Sequence, residues 1–165
     1  MKEKIYSLIE QSMQQANEEE LHVLEQLLEG YLEKIEGKGT YIGRLLQMER
    51  KAADASCEIL MPVTDLSNNS IGIVHGGITA TLLDSAMGSA AYTVTPENYA
   101  LVTSNLNIHY IAPGKGEHLT VKAHVIHKGS KTIIVEGEVL RDDGKKVAHA
   151  TGTFFLLKKS KTKSS

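Results

Sequence analysis

The chain has 165 residues, enough for one well-buried core and too few for two ordinary domains. Its 18 Lys and Arg nearly balance 20 Asp and Glu, which argues against nucleic acid as the main partner. No apolar run approaches the roughly 20 residues of a membrane-spanning helix. The single Cys57 excludes an intrachain disulfide and a multi-cysteine metal site. The first residues carry acidic groups and lack the apolar stretch and small-residue cleavage site of a secretory signal, so we expect a cytoplasmic protein.

Residues 1–40 read as a helical extension. Ile5, Leu8, Ile9 and Met13 mark one amphipathic helix, and Asn17 with Glu20 three residues later reads as a capping box opening a second. The second helix has an apolar face of Leu21, Leu24, Leu28, Leu32 and Ile35, and Gly37 and Gly39 end it. The first 38 residues hold four Lys and no Arg against nine Glu, a balance that repels a phosphate backbone. Oligomerisation, a lid over a substrate pocket and packing on the outside of a sheet all suit such an extension.

Beyond Tyr41 the pattern turns strand-like: residues 44–51, a turn at Ala53-Asp54, then residues 56–63 with alternating faces, where Cys57 reads as a small buried hydrophobe. Residues 78–91 contain no Pro and are mostly small or apolar, so they read as a helix buried on nearly every side. Four strands follow at 101–110, 118–127, 131–141 and 147–157, with hairpin turns at Gly129-Ser130 and Asp143-Gly144. One helix between two strands and a run of four implies an α+β fold, a curved antiparallel sheet wrapped around one long central helix. That domain spans residues 41–157, and the Lys- and Ser-rich tail, 158–165, is expected to be disordered.

The chemistry concentrates at the entrance of the central helix. Asn69, Gly72, His75, Gly76 and Gly77 precede it, and Asp84 lies seven residues past the second glycine. A glycine pair at a helix start offers bare N–H groups at the positive end of the helix dipole, a site for a polarised carbonyl or an oxyanion. A carboxylate on a buried helix is out of place unless it is paired, hydrogen-bonded or functional. Asp84 lies about 10 to 12 Å from the helix N-terminus at the standard rise, so one subunit does not easily present both groups to one carbonyl. A two-fold dimer with antiparallel helices would bring them together twice. Gly77, Ala80, Thr81, Gly88 and Ala91 are expected on the Asp84 face, where they would admit a close partner or a thin ligand. A tight strand-to-helix junction at Gly76-Gly77, a structural Asp84 and a turn role for Asn69 are the plainer alternatives.

These six typed positions resemble the pattern of hotdog-fold acyl-CoA thioesterases of the phenylacetate-degradation type, and the likeness covers residues 41–157. It implies an active site at a dimer interface, in a dimer or a dimer of dimers, with no cofactor because coenzyme A belongs to the substrate. Gly76 N–H would polarise the thioester carbonyl, Asn69 would orient the water or the carbonyl, and Asp84 of the opposing chain would act as nucleophile or general base. His75 would support the loop by hydrogen bonding or act as an auxiliary catalytic residue, and Thr103 falls where some relatives carry a serine that helps hold the attacking water. Gly77 belongs to the substrate-binding entrance, and the hairpin of Lys128, Gly129, Ser130 and Lys131 would meet the nucleotide end of coenzyme A. The rival reading is a non-catalytic acyl-CoA sensor. The other six histidines are scattered, with His124 and His127 expected on opposite faces of one strand, so no metal site is expected.

Overall fold

A computed structural model describes residues 1–159. The capping box at Asn17 is formed, its side chain accepting from Glu20 N while Glu20 Oε2 accepts from Asn17 N. It separates α1 (Lys2–Gln15) from α2 (Glu18–Ile35). Residues 44–48, expected in a strand, are not in one. The Thr40 hydroxyl accepts from Gly43 N and opens a short helix, α3 (Tyr41–Leu45), and Gln47 takes a positive φ of 51° that breaks any extended run before β1 (Glu49–Ala53). Docking decides this: Gln26 Nε2 of α2 donates to Leu45 O at 3.0 Å, and Gly30 sits directly on the Arg44 carbonyl.

A Cβ at Gly30 would lie 2.5 Å from Arg44 O, a backbone atom with little room to retreat. Gly30→Ala should therefore loosen α2 from α3 despite the ~1 kcal/mol that alanine adds to helix propensity, since overpacking typically costs about 1–3 kcal/mol. The expected result is faster amide exchange and proteolysis within residues 1–47 and little change in the sheet. Unchanged protection there would show that the contact relaxes freely.

The remaining elements are β2 (Ser56–Pro62), α4 (Gly76–Thr93), β3 (Tyr99–Tyr110), β4 (His118–Lys128), β5 (Thr132–Arg141) and β6 (Lys146–Lys158). The β1–β2 turn is Asp54-Ala55, both with positive φ, one residue later than expected, and Thr93 Oγ1 at the end of α4 accepts from Ala55 N. The strands form one antiparallel sheet in the order β1-β2-β4-β5-β6-β3. α4 contacts all six, so the sheet curves around it. Alternation along the strands sends Ile59, Met61, Val121, Val135, Val139 and Phe154 inward against Leu82, Leu83, Ala86, Met87 and Ala90 of α4, all buried. Lys158 ends β6 rather than beginning the tail, Lys159 N donates to Asn98 O, and residues 160–165 lie outside the described residues.

The sheet does not close. β1 and β3 are its edges, and between them α4 leaves a row of Asp84, Ser85, Gly88, Ser89 and Tyr92 uncovered by strands, the one open side of a helix whose residues 78–91 are all buried or half-buried, as expected. Ala91 lies only about 20° from Asp84 around the helix, on the face expected, but it is 0% exposed and so is covered by the chain itself. A correction concerns β4. A bulge between Val125 and His127 restores parity, pairing His124 with Glu136 and His127 with Ile134, so both histidines face outward on the same side.

Candidate active site

The loop before α4 is built by the motif itself. Asn69 Oδ1 accepts from Ile71 N at 3.0 Å and Ile73 N at 3.4 Å, while Asn69 N donates to Ile73 O. Gly72 takes φ +71°, where a side chain is strained. His75 N donates to Ser67 O and Val74 N to Gly114 O, which seats the end of the loop on its neighbours. His75 is then the N-cap of α4: its Nδ1 accepts from Gly77 N at 2.9 Å. That contact requires an unprotonated Nδ1.

The glycine pair divides in function. Gly77 N–H is taken by His75, and a Cβ at Gly77 would press on that ring at 3.0 Å, so this glycine serves the cap. Gly76 N–H has no hydrogen-bond partner among the described residues. A Cβ at Gly76 would make only ordinary contact with the Tyr110 ring, at 3.6 Å or more, so packing within the chain does not demand glycine there. A bare, unpaired N–H in the first turn of a helix is a hydrogen-bond donor ready for a carbonyl oxygen. Tyr110 OH donates to Gly76 O at 2.8 Å and steadies the turn from β3. Gly76 and Asn69 line a cavity of about 330 Å³ with Thr79, Tyr110, Pro113 and Val147.

Asp84 lies elsewhere. It is half-buried on the open stripe of α4, and Thr103 Oγ1 donates to its Oδ1 at 2.8 Å. Thr103 reaches inward because β3 bulges between Thr103 and Asn105, with the Ser104 hydroxyl turned onto Thr153 O. Asp84 and Thr103 line a separate cavity of about 600 Å³. No residue lines both cavities, and the eight residues from Gly76 to Asp84 put about 12 Å between the two groups along α4.

The fourth group of expected residues stands apart. Lys128 pairs with Ile133 and Gly129 N donates to Thr132 O at 2.8 Å, so Lys128, Gly129, Ser130 and Lys131 form the exposed β4–β5 hairpin. It lies level with Phe155 and Val102, at the opposite end of the sheet from Tyr110 and Gly76. Tyr110, whose hydroxyl holds the Gly76 carbonyl, was not expected at the site. The row Asp84, Ser85, Gly88, Ser89, Tyr92 carries a helical period that could have been read around Asp84. Arg50 of β1 lines the same cavity as Asp84. Among the described residues no group of three or more His, Cys, Asp or Glu side chains could hold a metal ion, and no helix is long and apolar enough to cross a membrane.

A curved antiparallel sheet wound on one helix is the hotdog fold, and here it carries an unpaired glycine N–H at the helix start and a hydrogen-bonded carboxylate two turns on. Residues 71–148 match the thioesterase superfamily. Mouse acyl-coenzyme A thioesterase 13 is 32% identical over 102 residues, 61% of this chain and 71% of its own. A Bacillus halodurans protein crystallised with CoA superposes with a TM-score of 0.85 at 43% identity, over 92% of this chain and 99% of that one. The Escherichia coli PaaI protein from the phenylacetic acid degradation operon, at 22% identity and a TM-score of 0.68 over 82% of this chain and 98% of its own, shares the fold. The chain belongs to the thioesterase superfamily. It spans 61% of the length of several curated relatives it matches, human acyl-coenzyme A thioesterase 13 among them.

Proposed function

We propose that this protein hydrolyses the thioester of a small or medium acyl- or aryl-acyl-coenzyme A, at a site shared between two copies of the chain. The observation that carries this reading is the separation just described: an unpaired donor at Gly76 and a held carboxylate at Asp84 share one helix but line different cavities. An antiparallel partner helix would set each carboxylate against the other chain's Gly76. β3 supports such a pairing, because it is a 12-residue edge strand bonded only to β6, and its outer N–H and C=O groups are free to meet a second β3. The same logic admits a dimer of dimers. The Bacillus halodurans structure with CoA supports the ligand class.

Each group then has a role set by its contacts. Gly76 N–H donates to the thioester carbonyl oxygen and stabilises the oxyanion of the tetrahedral intermediate. Asn69 Oδ1 is occupied in its own loop, which leaves Nδ2 as a second donor to that oxygen. Asp84 of the opposing chain, oriented by Thr103, either removes a proton from water as it attacks the carbonyl carbon or attacks directly. With water as nucleophile, the C–S bond breaks, coenzyme A leaves as the thiol with the proton that Asp84 took up, and the carboxylic acid is released. With direct attack, coenzyme A leaves as the thiolate, and water then hydrolyses the acyl–Asp84 anhydride, which frees Asp84 and the acid and supplies the thiol proton. His75 and Gly77 fix the turn. No cofactor is required, and the buried Cys57 takes no part, in keeping with a cytoplasmic setting.

Thiol release across a panel of acyl-CoAs tests the proposal. Turnover of at least one ester is expected, whereas tight binding with no thiol released would make the protein a sensor. The hairpin makes a second expectation. Lys128→Ala with Lys131→Ala should raise KM for acyl-CoA and weaken its dependence on salt with kcat nearly unchanged, since phosphate contacts far from the carbonyl bind ground and transition states alike. Acyl-pantetheine, which lacks the nucleotide, should be little affected. Equal losses on both substrates would mean that the lysines act through the structure of the turn.

A further inference from the structure

β1 carries a charge on the wrong face for a core strand. Its register places Arg50 opposite Ile59 and Ala52 opposite Cys57. Residues directly opposite in an antiparallel pair project to the same side, and Ile59 and Cys57, 0% and 3% exposed, point toward α4. Arg50 therefore stands on the helix-facing side of the sheet, while Glu49 and Lys51 project outward. Arg50 is exposed beside the open stripe of α4, so its guanidinium is available to an anion bound there. Among the described residues Arg50 makes no ion pair, and Asp84 on the same cavity makes none either.

Arg50 lines two cavities, one on the β1–β2–β4 surface with Lys51 and Lys122 and one beside Asp84. The walls of the second add hydroxyls from Thr40, Ser85, Ser89 and Tyr92, and α3 supplies Ile42. Burial pushes the Cys57 thiol above its ordinary pKa, and the Arg50 guanidinium and the Ser89 hydroxyl oppose that rise. Arg50 lies two residues along β1 from Ala52, the residue opposite Cys57, and shares one cavity with Asp84 and Ser89. Among the described residues it is the one Lys or Arg on the walls of the Asp84 cavity. The nucleotide end of coenzyme A carries several phosphate charges and would call for more cations than that.

The geometry points to a short acyl chain bearing a terminal carboxylate as the preferred substrate, with the acyl group in the Asp84 cavity and its carboxylate on Arg50. This rests on the thioesterase reading and names the substrate class of that site. A bidentate guanidinium–carboxylate contact fixes the far end of the chain, and the hydroxyls can donate to it without adding charge.

The test compares adipyl and hexanoyl thioesters, chains of equal length that differ in the terminal carboxylate, each as the CoA ester and as the N-acetylcysteamine ester, which carries no phosphate. The wild-type protein should favour adipyl over hexanoyl in both series. Arg50→Gln should lower kcat/KM for both adipyl esters by about 10- to 100-fold and leave both hexanoyl esters within about twofold, because one charge-assisted contact is lost. Arg50→Lys should retain part of the preference, and unfolding curves should show all variants folded. A loss confined to the two CoA esters would assign Arg50 to a phosphate and overturn the proposal, as would wild-type turnover that favours hexanoyl. No turnover of any ester by the wild-type protein would overturn the thioesterase reading itself, and this proposal with it.

Discussion

Asp84→Ala should lower thioester hydrolysis by ~10²- to 10⁴-fold, the usual cost of removing a general base or nucleophile, in a protein that still folds and still binds coenzyme A esters. The fold should survive because the carboxylate makes one side-chain hydrogen bond, from the exposed Thr103, whose hydroxyl can turn to water when its acceptor is gone. Removing the charge also relieves the cost of keeping a carboxylate half-buried on an apolar helix. Asp84→Asn separates shape from charge: the amide oxygen can still accept from Thr103, so a comparable loss of activity in this variant would show that the carboxylate itself is needed. The measurements are kcat by thiol release, CoA-ester binding and a thermal unfolding curve. A folded Asp84→Ala protein with near-wild-type turnover would remove Asp84 from the mechanism.

Mixing two inactive variants should restore activity, and the effect is large because it starts from almost none. With Asp84 of one chain serving Gly76 and Asn69 of the other, a dimer of one Asp84→Ala and one Asn69→Asp chain holds one site free of both substitutions and one site with both. Asn69→Asp is chosen because it keeps the oxygen that accepts from Ile71 N and Ile73 N while removing the Nδ2 donor. Doubly tagged mixed dimers should recover about half of wild-type activity, since one of the two sites of an isologous dimer is intact. Each variant alone should stay inactive. If purified mixed dimers form and no activity returns, each site belongs to one chain and the shared-site mechanism fails.

The strand pattern after α4 was legible in detail because alternation there is strong. Hairpins at Gly129 and Gly144 punctuate three strands whose inward residues are buried and whose outward residues are mostly charged or polar, with Ile134 and Leu157 among the apolar exceptions. The order of those strands was not legible. β3 follows α4 in sequence yet pairs with β6, and that non-local choice leaves it free as an edge. The stretch 44–48 misled for a related reason. Its residues fit a strand locally, but the Thr40 cap and the docking of α2 on Leu45 O impose a helix and a left-handed Gln47. In β4, one unpaired bulge residue was enough to reverse the expected facing of His127, and no composition signal marks it.

The motif around α4 is the part of this protein that the sequence determined by itself, because its positions act on near neighbours. Asn69 closes its own loop, Gly72 takes the left-handed turn, and His75 caps the helix through Gly77, all within a few residues. Their spacing along the chain is therefore their geometry. The tertiary structure decided which groups meet across the fold. It brought Thr103 onto Asp84 through a bulge nineteen positions away, left Gly76 N–H without a partner, split the donor and the carboxylate between two cavities, and turned Arg50 inward on an edge strand. Those outcomes depend on register, bulges and sheet order, which are fixed by burying one common core and so cannot be read from any single segment.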